Sequence, residues 1–239
     1  MQKTLLLLIF LGINTLISAQ EYTAYGVKGG MTCGFQKWNS NQTDDVLFLP
    51  LGNGTIFTEM YAGGRGSLCI ELGYHERGSS IIQRGGTYRN ANGIDVNFPT
   101  VVLQRKFSNI VFQPAFKQIY DVGSGWSGYY MLGVRAEYTI KDTIPYVYNQ
   151  VIPVNLGLNR FNYGITIGGG FERRLGSSPM MMQVEMQAQP DFSLQIQSPA
   201  FSYYDVVQRT NATFNEQKVS NITLELTVGF KFAEFPEEE

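Results

Sequence analysis

The chain has 239 residues, a formal net charge of -2 and only 16% charged residues, so it lacks the basic face that a nucleic-acid partner requires. Its 26 Gly, 14 Tyr and 16 Phe favour strands and turns over helices. Past the leader, no stretch is apolar enough to cross a membrane as a helix.

Lys3, the apolar run Leu5 to Leu11 with Ile13, and Ser18-Ala19-Gln20 read as a signal peptide over residues 1–19. Residues 20–239 are expected to form a single domain, since no linker or charge block divides them. The first predicted strand, 25–37, points Tyr25, Val27, Met31, Cys33 and Phe35 to one face and Lys28, Thr32 and Gln36 to the other. Residues 39–54 are polar, end in Asn53-Gly54, and read as a long loop. Thr55 to Ala62 gives a second strand with weak alternation, and Gly63-Gly64-Arg65-Gly66 a tight turn. In the third strand Leu68, Ile70, Leu72 and Tyr74 oppose Cys69, Glu71, Gly73, His75 and Arg77.

A second long loop, 78–104, leads to a fourth strand over 108–120. It faces Ile110, Phe112, Phe116 and Tyr120 out and Lys117 in, with Pro114 counting against a central position. After a turn at 121–125, the fifth strand, 128–141, sets Tyr130, Leu132, Val134, Ala136, Tyr138 and Ile140 against Met131, Arg135, Glu137, Thr139 and Lys141. Residues 142–159 are a third long loop. The sixth strand alternates Phe161, Tyr163, Ile165, Ile167 and Phe171 with Asn162, Thr166, Glu172 and Arg174. Past Gly176 to Pro179, the seventh faces Met180, Met182, Val184, Met186 and Ala188 out against Gln183, Glu185, Gln187, Gln189 and Asp191, with Phe192 and Leu194 extending it. A fourth long loop, 195–217, precedes the last strand, 219–232, whose Ile222, Leu224, Leu226, Val228, Phe230 and Phe232 share an almost purely apolar face.

Eight strands whose connections run long, short, long, short, long, short, long place all long loops at one end. The expected fold is therefore all-β: an eight-stranded antiparallel up-and-down transmembrane β-barrel with short periplasmic turns and long extracellular loops in the outer membrane of a Gram-negative bacterium. A soluble lipocalin-like barrel would need its apolar parity turned inward. Summed by parity, the inward charges are Lys28, Arg77, Lys117, Arg135, Lys141, Arg174 and Lys231 against Glu71, Glu137, Glu172, Glu185, Asp191 and Glu225. A barrel this narrow is filled by its own side chains, so these charges predict a lumen plugged by an ion-pair network centred on Lys28, Glu71, Arg135, Glu137, Glu172, Arg174, Glu185 and Glu225. Cys33 and Cys69 have opposite parity, so no disulfide is expected between them. Phe35, Trp38, Tyr138, Phe161 and Tyr163 gather toward the loop rim, and Tyr120, Trp126, Tyr130, Phe171 and Phe230 toward the turn rim, as interfacial aromatics do.

Gly26-Val27-Lys28-Gly29-Gly30, Glu71-Leu72-Gly73-Tyr74-His75-Glu76-Arg77-Gly78-Ser79, Tyr163 to Gly170 and the Phe-ended final strand together resemble the PorT-like outer-membrane β-barrel proteins of the Bacteroidetes. The resemblance implies insertion by the barrel-assembly machinery, with Phe230 and Phe232 as the C-terminal assembly signal, and links the chain to protein secretion through the family's namesake. The tail 233–239 departs from barrels that end on the aromatic itself.

His75 is the only histidine, which excludes a His-cluster metal site. A lipid-modifying hydrolase built on Ser79 or Ser80 with His75 and Glu76 fails on parity, because His75 faces the lumen and Glu76 the lipid. Gly168-Gly169-Gly170 lacks the helix and the Lys-Ser pair of a phosphate loop and reads as strand curvature. The expectation is a monomeric, non-enzymatic barrel without cofactor, in contact with outer-membrane lipid, with a structural or surface-interaction role. Its loops would meet an extracellular ligand or secretion-system subunits.

Overall fold

The computed structural model describes residues 22–38, 45–61, 65–83, 85–89, 93–143, 157–205, 210–214 and 216–233, and the reading of residues 1–19 as a signal peptide lies outside them. In chain order the strands are β1 (Tyr22–Trp38), β2 (Asp45–Tyr61), β3 (Gly66–Gln83), β4 (Gly86–Arg89), β5 (Asp95–Phe98), β6 (Val101–Gly123), β7 (Trp126–Thr143), β8 (Phe161–Arg174), β9 (Met180–Pro190), β10 (Ile196–Ser198), β11 (Phe201–Asp205), β12 (Thr210–Phe214) and β13 (Gln217–Ala233). Eight of them pair in the order β1, β2, β3, β6, β7, β8, β9, β13, every pair antiparallel, and β13 pairs back to β1. The sheet is thus a closed eight-stranded barrel. β4 with β5 and β11 with β12 are hairpins within two of the long connections, and β10 adds to the loop end of β13.

The register fixes the barrel's width. Partners followed from Leu224 through Ala188, Ile167, Leu132, Phe116, Leu68 and Met60 reach Thr23, one step from the Ala24–Ala233 pair. The ring therefore closes displaced along β13 by about ten residues, which for eight strands gives a tilt of roughly 40° and a backbone radius of roughly 8 Å. At that radius opposing side chains meet in the middle. The 14 residues of β8 still rise roughly 35 Å along the axis, more than the ~25 Å apolar band of an outer-membrane barrel.

Outward positions are apolar and exposed on every barrel strand, among them Val27 (55%), Leu132 (59%), Met186 (66%) and Leu226 (50%). Inward positions such as Thr32, Glu59, Asn162, Gln189 and Lys231 are fully buried. This inverts the usual arrangement of a water-soluble barrel.

Three strands, β2, β3 and β6, run far beyond the bounds the sequence indicates. β2 starts at Asp45 rather than Thr55, so the segment ending in Asn53-Gly54 is strand. A register shift against β3 between Phe48 and Asn53 accommodates it. β3 reaches Gln83 and β6 begins at Val101, because each completes the other's ladder as far as the Gln83–Val101 pair. Pro114 sits inside β6: the ladder to β7 lapses between Phe112 and Ala115 and resumes in the same register. Gly133 lies alongside, where a Cβ would come within 2.6 Å of the Pro114 carbonyl. The seventh predicted strand ends at Pro190, so Phe192 and Leu194 are not part of it. The β6–β7 turn runs through Gly123, Ser124 and Gly125 with φ of 89°, 55° and 74°, a left-handed path that glycine enters without strain.

Candidate functional site

Hydrogen-bonded polar side chains fill the lumen in three tiers. Nearest the turns, Lys117 of β6 and Lys231 of β13 each contact both Glu59 of β2 and Glu172 of β8, at 2.7 to 3.1 Å. Ser67 donates to Glu59 at 2.7 Å, Lys231 bonds the Tyr61 hydroxyl at 2.6 Å, and the Lys117 ammonium lies 3.8 Å from the Tyr129 ring centroid. In the middle tier Lys28 of β1 bridges Glu71 of β3 at 2.6 Å and Glu185 of β9 at 2.5 Å. Tyr129 and Gln187 donate to Glu185, and Gln113 donates to Glu71.

Toward the loops, Arg77 of β3 and Arg135 of β7 share one oxygen of Glu137, at 2.7 and 2.6 Å. Arg135 also pairs with Asp191, and both guanidinium groups donate to Gln189. Glu225 accepts from Gln189 at 3.1 Å and lies 2.7 Å from Nδ1 of His75. An ionised carboxylate only accepts, so Nδ1 carries a proton toward Glu225, while Nε2 lies 3.1 Å from the Thr55 hydroxyl. Thr55, His75 and Glu225 thus stand in the connection order of a nucleophile, a base and its orienting acid, yet all three are buried. In this setting the chain of contacts fixes the imidazole in one orientation. Ser79 instead donates to Gln36, and Glu76 accepts from Tyr74 on the outer side, so neither meets His75.

Apolar groups lie at both ends of the polar tiers. Tyr22 and Tyr61 stack at 4.1 Å beside Ala24, Ala233 and Ile119 at the turn end. Phe107, Ile196 and Val219, with Leu158, lie at the loop end, where β10 folds against β13.

Seven of the eight predicted network residues, Lys28, Glu71, Arg135, Glu137, Glu172, Glu185 and Glu225, lie in these tiers. Arg174 does not: it is exposed at the turn rim, where its Nε donates to the Ser178 carbonyl at 3.0 Å. The strand has there passed the end of the lumen. Lys141, also expected inward, is exposed, because Ile140 is an extra residue between the Thr139–Asn109 and Lys141–Ser108 pairs and reverses the parity beyond it. Glu59 escapes the sequence reading because inward Phe57 and Tyr61 hide the alternation of β2. Among the described residues the lumen therefore holds Lys28, Arg77, Lys117, Arg135 and Lys231 against Glu59, Glu71, Glu137, Glu172, Glu185, Asp191 and Glu225. The near balance expected from parity becomes an excess of carboxyl groups. Cys33 and Cys69 are both free. Phe230 and Phe232 stand exposed on the outer face of β13, at 41% and 56%.

No protein-family model matches the chain, and no curated protein matches its sequence. Among solved structures it is similar to the outer membrane protein OprG from Pseudomonas aeruginosa, at 11% identity and a TM-score of 0.49, covering 90% of this chain and 98% of that one. It is also similar to the outer membrane protease OmpT from Escherichia coli (10% identity, 90% and 97% coverage, TM-score 0.44). A third similar structure is Ail, the attachment invasion locus protein of Yersinia pestis (9% identity, 88% and 99% coverage, TM-score 0.38). The assignment of a closed barrel rests on the strand register itself.

Proposed function

We propose that the chain is an exported outer-membrane β-barrel, its lumen plugged by its own side chains, that serves as a rigid anchor presenting long loops at the cell surface. The observation that carries this reading is the opposition of the two faces of the same eight strands: exposed apolar residues outside, and paired, buried charge inside. Lipid satisfies the first face, and the second leaves a continuous path for neither ions nor solutes. Residues 1–19 supply the export signal, and Phe230 and Phe232 the signal read by the assembly machinery. Fractionation and planar-bilayer recording test the proposal together. The protein is expected in outer membranes with heat-modifiable migration and to show no resolved single-channel steps. Stable porin-like conductance would refute the plug, and recovery as a detergent-free soluble particle would refute the membrane assignment.

A finer reading follows from the PorT-like motifs, which fall on β1, β3, β8 and β13: an accessory component of a protein-secretion system. Co-purification with secretion subunits after crosslinking from the 84–100 or 191–216 connection is its test. Enzymatic action on lipid is the less favoured alternative, since the Thr55–His75–Glu225 chain of contacts lies inside the packed lumen.

A further inference from the structure

The bulge at Ile140 relocates a charge. Without it Lys141 would point into the lumen; with it Lys141 is exposed on the outer wall, and the next residue, Asp142, pairs with Arg105 at 2.9 Å. Lys141 stands opposite Ser108, and Lys106, half-buried, lies two positions along β6, which puts the two lysines diagonally adjacent at roughly 7–8 Å between Cα atoms. Directly below lie Tyr138, Phe161 and Tyr163, all about half exposed (47%, 61% and 52%), the ring types that settle at headgroup depth.

The surrounding sequence is poor in acids. No acidic residue occurs from Val96 to Tyr120, nor from Thr143 to Gly170. Asp142 opposes inward Phe107 and is engaged by Arg105, and the acid on the outer wall is Glu76, diagonal to Lys106 across β3 and β6 and bonded by the Tyr74 hydroxyl. Among the described residues neither forms an ion pair with Lys106 or Lys141. Like charges diagonal on one sheet face repel, and an anion seated between them removes that cost.

We infer that Lys106 and Lys141 form a binding site for the phosphate of an outer-leaflet lipid headgroup, built by the Ile140 bulge at the loop-side edge of the aromatic band. The inference rests on the membrane reading above and names the lipid chemistry that this wall selects. Lysine meets phosphate as a point charge, so the pair can hold one phosphate from two adjacent strands.

The test uses the full mature chain in nanodiscs of neutral phosphatidylcholine doped with bisphosphorylated lipid A, with bound lipid counted by native mass spectrometry. The wild type is expected to retain lipid A, and Lys106→Gln/Lys141→Gln to retain it about tenfold less. The turn-rim control Arg65→Gln/Arg173→Gln should behave as wild type. Equal retention by wild type and the Lys106/Lys141 variant would overturn the site, as would equal loss in the turn-rim control. Binding of inorganic phosphate in undoped discs with the same residue dependence would assign the patch to a soluble anion and overturn the lipid assignment. A barrel that fails to enter the discs would overturn the membrane reading and this inference with it; one that enters but shows no preference overturns this inference alone.

Discussion

Lys231 of β13 and Glu59 of β2 meet at 3.1 Å although β1 runs between their strands. The inward β1 residues at that level are Ala24 and Gly26, Ala24 pairing with Glu59 and Gly26 with Lys231. Small residues on the middle strand let long side chains from its two neighbours join over it. Sequence parity placed Lys231 in the lumen, and only three-dimensional register supplies its partners.

Removing one member of that quartet leaves a buried charge uncompensated. Lys231→Met is expected to cost about 3–5 kcal/mol, the usual range for breaking a buried pair, read as a lower urea midpoint for the folded barrel in lipid. Combining it with Glu59→Gln should recover part of the loss, since the two residues share one network. Additive losses would show that the two groups act independently.

The outer face should respond to charge by depth. Leu224→Arg, near mid-wall, is expected to destabilise by about 2–4 kcal/mol in lipid, and Phe35→Arg, toward the loop rim, by about 0–1 kcal/mol. Reversible unfolding in phospholipid vesicles measures both. Equal costs at the two positions would contradict the depth assignment.

His75→Ala removes the partner of the Thr55 hydroxyl and one contact of Glu225. Leaving such groups buried and unpaired costs about 1–3 kcal/mol. If the imidazole is a strut, stability falls while phospholipid and lipid A remain uncleaved by wild type and variant alike. Turnover by the wild type that His75→Ala abolishes would restore the enzymatic alternative.

Cys69 is buried inside the wall, and Cys33, half-exposed, takes the opposite parity. The folded protein should therefore migrate identically with and without reductant, and Cys69 should resist alkylation until the barrel is unfolded. A reductant-dependent mobility shift would contradict the assigned facing of these two strands.

The fold class was legible because period-2 alternation and loop lengths are local properties, written plainly in β3, β7, β9 and β13. Lys28, Glu71, Glu185 and Glu225 were assignable to the lumen for the same reason. What parity cannot carry is a change of phase. A single extra residue at Ile140 moved Lys141 from the inside to the outside, and the register shift in β2 made a strand of residues that read as a turn. Arg174 failed differently: its parity is inward, but the lumen has ended by that point. Glu59 was hidden by inward Phe57 and Tyr61, and the partner of each charge depends on register across strands distant in sequence.

The most direct test of the account is depth-dependent quenching of a fluorophore on single cysteines introduced at Leu224, Val134 and Val184 and, separately, at Glu225, Arg135 and Glu185, with Cys33 and Cys69 replaced by Ser. Lipid-borne quenchers are expected to quench the first three strongly and the second three weakly, each pair being adjacent in sequence. Equal quenching within the pairs, or strong quenching of the second set alone, would contradict a barrel with lipid outside and paired charge within.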